Sequence, residues 1–236
     1  AGVRIAFRSD ATTVSGRFRQ SDGSHPVDLC CDGELTASHP FDETGRFEFS
    51  GLPPSEKLIE LWLPQRSNFT LQSLELNEGA SVIRHEDGRP RWVSYGSSIT
   101  HCGSAESPVY TWPAIVARGL GLDLTCLGYG GNCHLEPMVA RMIRDLPADF
   151  LSMCVGINIY GASSLGPRAF RSAVIGFVKI VRERHPDIPY VVMSPIVSPP
   201  REESKNAVGF TLPMMRDEVA AAVEALRSRG DRNLHY

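Results

Sequence analysis

At 236 residues, with 42% hydrophobic and 22% charged residues, the chain is long enough for one large domain or two small ones. Its formal net charge of −3 argues against nucleic-acid or anionic-membrane partners, which call for a cationic excess. No run reaches the roughly 18 apolar residues of a membrane span and no charged-then-apolar leader opens the chain, so the expectation is a cytoplasmic protein, a removed signal peptide being the open exception because the first residue is Ala1.

The first third offers short β-rich runs at Val3–Arg8, Thr13–Arg19, Val27–Cys31, Arg46–Ser50, Leu58–Leu63 and Phe69–Leu76. Turn residues such as Asp22-Gly23, Asp32-Gly33, Thr44-Gly45 and Pro53-Pro54 separate them at the intervals of a sandwich or jelly roll. The polar stretch His85 to Pro90 breaks this pattern and marks a boundary, giving an all-β domain over 1–88 and a second domain over 89–236.

Beyond Pro90, apolar strands alternate with amphipathic helices, the organisation of an α/β domain with a parallel sheet. Strands are expected near Arg91–Tyr95, Leu122–Leu127, Phe150–Val155 and Tyr190–Ser194, with a fifth opening at Asn233. Helices are expected over Val109–Leu120, Leu135–Asp145, Pro167–His185 and Pro213–Arg229, the last with Met214, Val219, Val223 and Leu226 as its apolar stripe. The fold class is thus a flavodoxin-like doubly wound sheet, of order 2-1-3-4-5, behind a β-sandwich. The chain stops at the fifth strand, where such a domain calls for a closing loop and helix, so the domain is expected to be incomplete at its C-terminus.

The segments that carry chemistry follow the first three of these strands. Val93-Ser94-Tyr95-Gly96-Ser97-Ser98-Ile99-Thr100 ends a strand on a glycine and small hydroxyl residues, which places Ser98 at the carboxyl edge of the sheet, where open α/β sheets bind ligands. Taken alone, the segment reads first as Ser97, Ser98 and Thr100 capping the next helix. Gly128-Tyr129-Gly130-Gly131-Asn132-Cys133 and Gly156-Ile157-Asn158 follow the next two strands, and in the 2-1-3-4-5 order the three loops converge. A serine nucleophile, an unobstructed glycine N–H and an amide donor are the set that stabilises the oxyanion of acyl transfer, and turn formation needs no such set.

These blocks resemble those of the SGNH or GDSL-type hydrolases. Gly96-Ser97-Ser98-Ile99-Thr100 is similar to the G-D-S-x-T block with Ser97 in place of Asp, and Gly156-Ile157-Asn158 to G-x-N-D with Ile159 in place of Asp. The resemblance covers about Arg91 to Tyr236 and implies Ser98 as nucleophile, with Gly131 and Asn158 as oxyanion donors. Gly130 to Pro137 and Ser194-Pro195-Ile196 are further similar to a subgroup of esterases and acyltransferases that bears an N-terminal β-sandwich. The resemblance implies an acylated carbohydrate or small-molecule ester as substrate, and neither a metal nor an organic cofactor. The six cysteines lack C-x-x-C or zinc-finger spacing and read as buried thiols. A G-x-S-x-G elbow, a complete dinucleotide loop and a P-loop are all missing.

Serine catalysis also needs a histidine to take the hydroxyl proton. The family draws it from a late D-x-x-H block that does not follow Tyr190 here, and the expectation is that this block lies past Tyr236. Asp22-Gly23-Ser24-His25 repeats the pattern inside the β-half, where it reads as a turn, while His101 and His134 flank Ser98 and Gly131 as cleft-lining residues or substitute bases. Two function classes stay open: a serine-dependent ester hydrolase or acyltransferase, and a non-catalytic carbohydrate-binding protein on a degenerate scaffold.

Overall fold

The computed structural model describes residues 3–20, 25–40 and 43–236. The chain divides into two compact units, Ala1–Gly88 with Cys102–Leu120, and Arg89–His101 with Gly121–Tyr236.

Among the described residues the first unit has eight strands: β1 (Arg4–Ser9), β2 (Thr13–Gln20), β3 (Val27–Cys31), β4 (Glu34–His39), β5 (Arg46–Ser50), β6 (Lys57–Trp62), β7 (Phe69–Leu76) and β8 (Ile83–Arg84). They form two antiparallel sheets, of order β4-β3-β6-β1-β8 and β5-β2-β7. The alternation that marked them as strands sets their faces: in β5, Phe47 and Phe49 are buried while Arg46, Glu48 and Ser50 are exposed. Inward-facing Val14, Phe18, Leu29, Phe47, Ile59 and Leu61 fill one core. Strand β4 escapes the sequence reading because its alternation is weak, with only Leu35 and Ala37 as apolar positions between exposed Glu34, Thr36 and Ser38. It follows β3 through Asp32 and Gly33, both at positive φ (50° and 87°), the geometry of a type I′ hairpin. The Lys57 ammonium is buried among four carbonyls and donates to those of Ala11 at 2.7 Å and Pro53 at 2.6 Å.

The second unit opens with β9 (Arg91–Gly96) and the short helix α1 (Ser98–His101). The chain then contributes a 3-10 turn (Pro108–Tyr110) and α2 (Trp112–Leu120) to the first unit. There the buried Asp28 carboxylate accepts from the Ser107 hydroxyl and the Val109 N–H, and Val109 and Ala114 pack with Cys30 and Trp62. The helix expected over Val109–Leu120 therefore exists, starts at Trp112, and clusters with the β-rich residues.

The remaining elements are β10 (Asp123–Gly128), α3 (Pro137–Asp145), β11 (Phe150–Cys154), α4 (Ile157–Ala162), α5 (Pro167–Arg182), β12 (Tyr190–Met193), α6 (Pro199–Glu202), α7 (Leu212–Arg227) and β13 (Leu234–His235). The sheet order is β10-β9-β11-β12-β13 with every pair parallel, which is 2-1-3-4-5 counted within this unit, as expected. Val93, Tyr95, Leu151, Met153, Tyr190, Val192 and Leu234 present one apolar face, and α3, α5 and α7 bury it with Ile143, Phe170, Val174, Phe177, Val219 and Val223. In α7 the buried stripe is Leu212, Met215, Val219, Val223 and Leu226, whereas Met214 is exposed. Five residues rather than four separate Met214 from Val219, which turns it off that stripe. Among the described residues, no helix is long and apolar enough to cross a membrane.

Candidate active site

The residues around Ser98 are shaped by two glycines with no room for a side chain. A Cβ on Gly96 would lie 2.0 Å from Thr100 Oγ1, so the turn from β9 into α1 closes only with glycine there. A Cβ on Gly128 would lie 2.1 Å from the His101 backbone nitrogen, because the end of β10 passes α1 backbone to backbone. The Tyr129 N–H donates to the Gly96 carbonyl at 2.7 Å and ties the two strand ends together. Ser97 is 1% exposed, and its Oγ accepts from the Ile99 N–H at 3.2 Å. Its carbonyl accepts from Thr100 and His101 N–H. Ser97 thus does the capping, and Ser98 is left exposed at the start of α1.

The loop after β10 runs past this serine. A Cβ placed on Gly130 would lie 3.9 Å from Ser98 Cβ and equally 3.9 Å from His101 Nδ1. Gly131 follows at φ +74°, and the Asn132 carbonyl accepts from Asn158 Nδ2 at 2.5 Å. Asn158 is the second residue of α4, whose N-cap Gly156 has φ +121° and faces Pro195, where a Cβ would lie 2.4 Å from the ring. Ser98, the Gly130–Asn132 segment and the Asn158 amide are therefore gathered at the carboxyl ends of three adjacent parallel strands. Ile159, which stands where the resemblance has an aspartate, is fully buried in the apolar core.

The histidines separate by their surroundings. His134 Nδ1 lies 2.7 Å from Ser164 Oγ and Nε2 lies 3.3 Å from the Gly131 carbonyl. Since a carbonyl only accepts, the proton belongs on Nε2 and Nδ1 accepts from the Ser164 hydroxyl. Both ring nitrogens of His134 are engaged in clamping loops, a role its sequence position did not reveal. His101 is the histidine beside Ser98. His25 belongs to the first unit, and Asp22, Gly23 and Ser24 lie outside the described residues. Burial pushes the Cys133 thiol up to about 12, so a thiol two residues from Gly131 is no competing nucleophile at neutral pH. Cys30, Cys133 and Cys154 are buried, whereas Cys31, Cys102 and Cys126 are half-buried.

Tyr95 and Glu136 were not singled out from the sequence as residues of the site. The Tyr95 hydroxyl donates to Glu136 Oε2 at 2.5 Å and accepts from the Leu135 N–H at 3.3 Å, and Glu136 Oε1 accepts from the His134 N–H at 2.9 Å. The available signal was a glutamate directly before Pro137, at the mouth of a helix that starts on proline.

Residues 90–236 match the family model of the GDSL-like lipase/acylhydrolase family. A salicylyl-acyltransferase from a tetracycline biosynthetic pathway is 36% identical, with a TM-score of 0.91 over 99% of this chain and 69% of that one. A family two carbohydrate esterase from Clostridium thermocellum, solved with cellohexaose, is 15% identical, with a TM-score of 0.75 over 100% of this chain and 81% of that one. A carbohydrate esterase family 2 enzyme from Corynascus thermopiles is 16% identical, with a TM-score of 0.72 over 95% and 81%. These two esterases share the fold, an α/β domain behind an N-terminal β-sandwich. No curated protein sequence matches.

Proposed function

Since the chain belongs to the GDSL-like lipase/acylhydrolase family and is an ester-processing enzyme, we propose that it acts through an acyl-Ser98 intermediate. Ser98 Oγ attacks the ester carbonyl carbon and passes its proton to a base, while the carbonyl electron pair moves onto oxygen. The resulting oxyanion accepts from the Ser98 and Gly131 N–H groups and from Asn158 Nδ2, whose second N–H is available beyond its bond to Asn132. The base then returns the proton to the departing alkoxide as the intermediate collapses, releasing the alcohol, and water or a hydroxyl acceptor takes the acyl group and restores the Ser98 hydroxyl. His134 is not the base of this scheme, because Ser164 and Gly131 hold both of its ring nitrogens.

The observation that carries the proposal is the meeting of the three loops: Ser98 beside Gly130, and Asn158 bonded to the same loop two residues on. Neither departure from the family blocks weakens it, since Ser97 still caps α1 and Ile159 is core. In this reading residues 89–236 are catalytic and 1–88 form an accessory domain that positions substrate. The relative at 36% identity, a salicylyl-acyltransferase, supports an aromatic acyl group and its transfer to an acceptor as well as to water. An acylated carbohydrate is the second candidate, for which an open polar hollow in the first unit, lined by Ser15, Arg17, His39, Arg46, Glu48 and Glu75, offers a binding place to test.

A fluorophosphonate probe tests the nucleophile. Tandem mass spectrometry is expected to find the label on Ser98, and Ser98→Ala is expected to abolish both labelling and turnover of 4-nitrophenyl esters. Labelling at another serine, unchanged in Ser98→Ala, would remove Ser98 from the mechanism.

A further inference from the structure

The loop from Tyr129 to Glu136 is held in a costly conformation. Gly131, Cys133 and Leu135 have φ of 74°, 73° and 64°, so every second residue is left-handed and two of the three carry side chains. Each non-glycine residue there is strained and persists only where its surroundings over-determine it. Burial of Cys133 and Leu135 supplies part of that constraint. Asn158 and His134 hold the Asn132 and Gly131 carbonyls, and the N–H groups on the far side of the loop depend on one carboxylate.

Glu136 stands at the N-cap of α3, yet its side chain makes no capping bond to that helix. It reaches back instead, accepting the His134 N–H on one oxygen and the Tyr95 hydroxyl on the other. Tyr95 in turn accepts the Leu135 N–H, so two successive loop N–H groups are satisfied through one carboxylate and one phenol. Tyr95 is 1% exposed, and its ring stacks on Phe177 with centroids 4.9 Å apart, so the phenol is a fixed post. It also lies on β9, three residues before Ser98. The bond from Glu136 to Tyr95 therefore joins the strand that delivers the nucleophile to the loop that carries the Gly131 N–H.

We propose that Glu136, acting through Tyr95, is a positioning residue that sets the Gly131 loop against Ser98. This inference rests on the acyl-Ser98 reading. The polarity of the device is stable across the working pH range. Burial opposes the charge on Glu136, but the Tyr95 hydroxyl and the His134 N–H hold its pKa below the ordinary glutamate value, so it remains an acceptor. Burial pushes the Tyr95 phenol far up, so it remains a donor. Glutamine cannot replace Glu136, because its amide would turn a donor toward one of two donors.

The test compares wild type, Glu136→Gln, Tyr95→Phe and Ser98→Ala on 4-nitrophenyl acetate, with active sites titrated by fluorophosphonate and melting followed in parallel. Misplacement of a catalytic group by about 1 Å costs about a hundredfold in rate, so kcat per titrated site is expected to fall about ten- to a hundredfold in Glu136→Gln and Tyr95→Phe, with KM within about threefold. An alkyl boronate, which mimics the tetrahedral oxyanion, should lose affinity by the same factor. A loop-stabilising role alone would lower melting temperature and the titrated fraction and leave kcat per site and boronate affinity at wild-type values, which would overturn the proposal. If Glu136→Gln does not fold, Tyr95→Phe, which removes one hydroxyl from a stacked ring, decides the matter. An inert Ser98→Ala beside wild-type rates in the other two defeats the positioning role alone. Full turnover by Ser98→Ala defeats the acyl-Ser98 reading, and this inference with it.

Discussion

Gly128→Ala is expected to disable the site without touching a reacting group. The added methyl carbon would lie 2.1 Å from the His101 nitrogen, 2.5 Å from its Cα and 2.7 Å from the Thr100 carbonyl carbon, all backbone atoms of α1. None can swing aside as the end of a side chain would, and ordinary contact begins at 3.4 Å, so α1 must retreat from β10 by more than about 1 Å. Ser98 is the first residue of that helix and moves with it, while Gly131 and Asn158 belong to other loops. Displacement on this scale lowers kcat about a hundredfold, and the overpacking costs about 1–3 kcal/mol of stability. The assay is 4-nitrophenyl ester turnover per titrated site beside a thermal melt. Gly176→Ala in α5 is the control. A methyl there meets nothing within 4 Å, so it should leave kcat unchanged and stabilise the helix by about 1 kcal/mol. Wild-type kcat and melting in Gly128→Ala would refute the claim that the glycine fixes the nucleophile by close approach.

Asn158→Ala is expected to lower kcat by about two to three powers of ten with the fold retained, as loss of one oxyanion donor does. Normal turnover would make Asn158 a loop-forming residue bonded only to Asn132. The Glu202 carboxyl is expected to titrate at about 2, because the Arg216 guanidinium and then the Ser198 N–H bind its charged form. Its folded pKa lies below the ordinary value of 4.5, so the stability it contributes is complete above that pH and is lost as pH falls toward 2. NMR titration should show Arg216→Ala moving the midpoint back up, and a midpoint unmoved by that change would contradict the assigned cause.

The long elements were legible because burial imposes a period. Phe170, Val174, Phe177, Val178 and Val181 recur at helical spacing in α5, and Phe47 and Phe49 alternate with charged residues in β5. The same rule misplaced Met214 by one residue and gave only a weak signal for β4, an edge strand whose alternation rests on Leu35 and Ala37 alone. Helix α4 carries no local sequence signal, since Asn158, Tyr160 and Gly161 are weak helix formers and its N-cap glycine depends on the approach of Pro195. The grouping of Cys102–Leu120 with the β-rich residues depends on Asp28 meeting Ser107 and Val109 about eighty residues away, which no local pattern encodes.

The site was legible to the extent that its chemistry sits at strand ends. Once the strands were found, the segments carrying the candidates followed from their places after β9, β10 and β11, and the family resemblance singled out Ser98, Gly131 and Asn158 within them. What the sequence could not convey is how one substitution is absorbed by its neighbours. Ser97 in place of an aspartate suggests decay if the block is read as a string of letters, because a charge has gone from beside the nucleophile. In the fold that side chain is buried, and its one visible task is to accept the Ile99 N–H, which a serine hydroxyl performs as well as a carboxylate without placing a buried charge that would need a partner. Ile159 is buried between residues of the apolar core, where an aspartate would have to be desolvated. Both departures thus remove a charge from a position that, in this chain, is closed to water, and they leave the exposed Ser98 hydroxyl and the Asn158 amide in place. The glycines around the site are likewise fitted to it: a methyl on Gly96 would collide with the Thr100 side chain, on Gly128 with the α1 backbone and on Gly156 with the Pro195 ring.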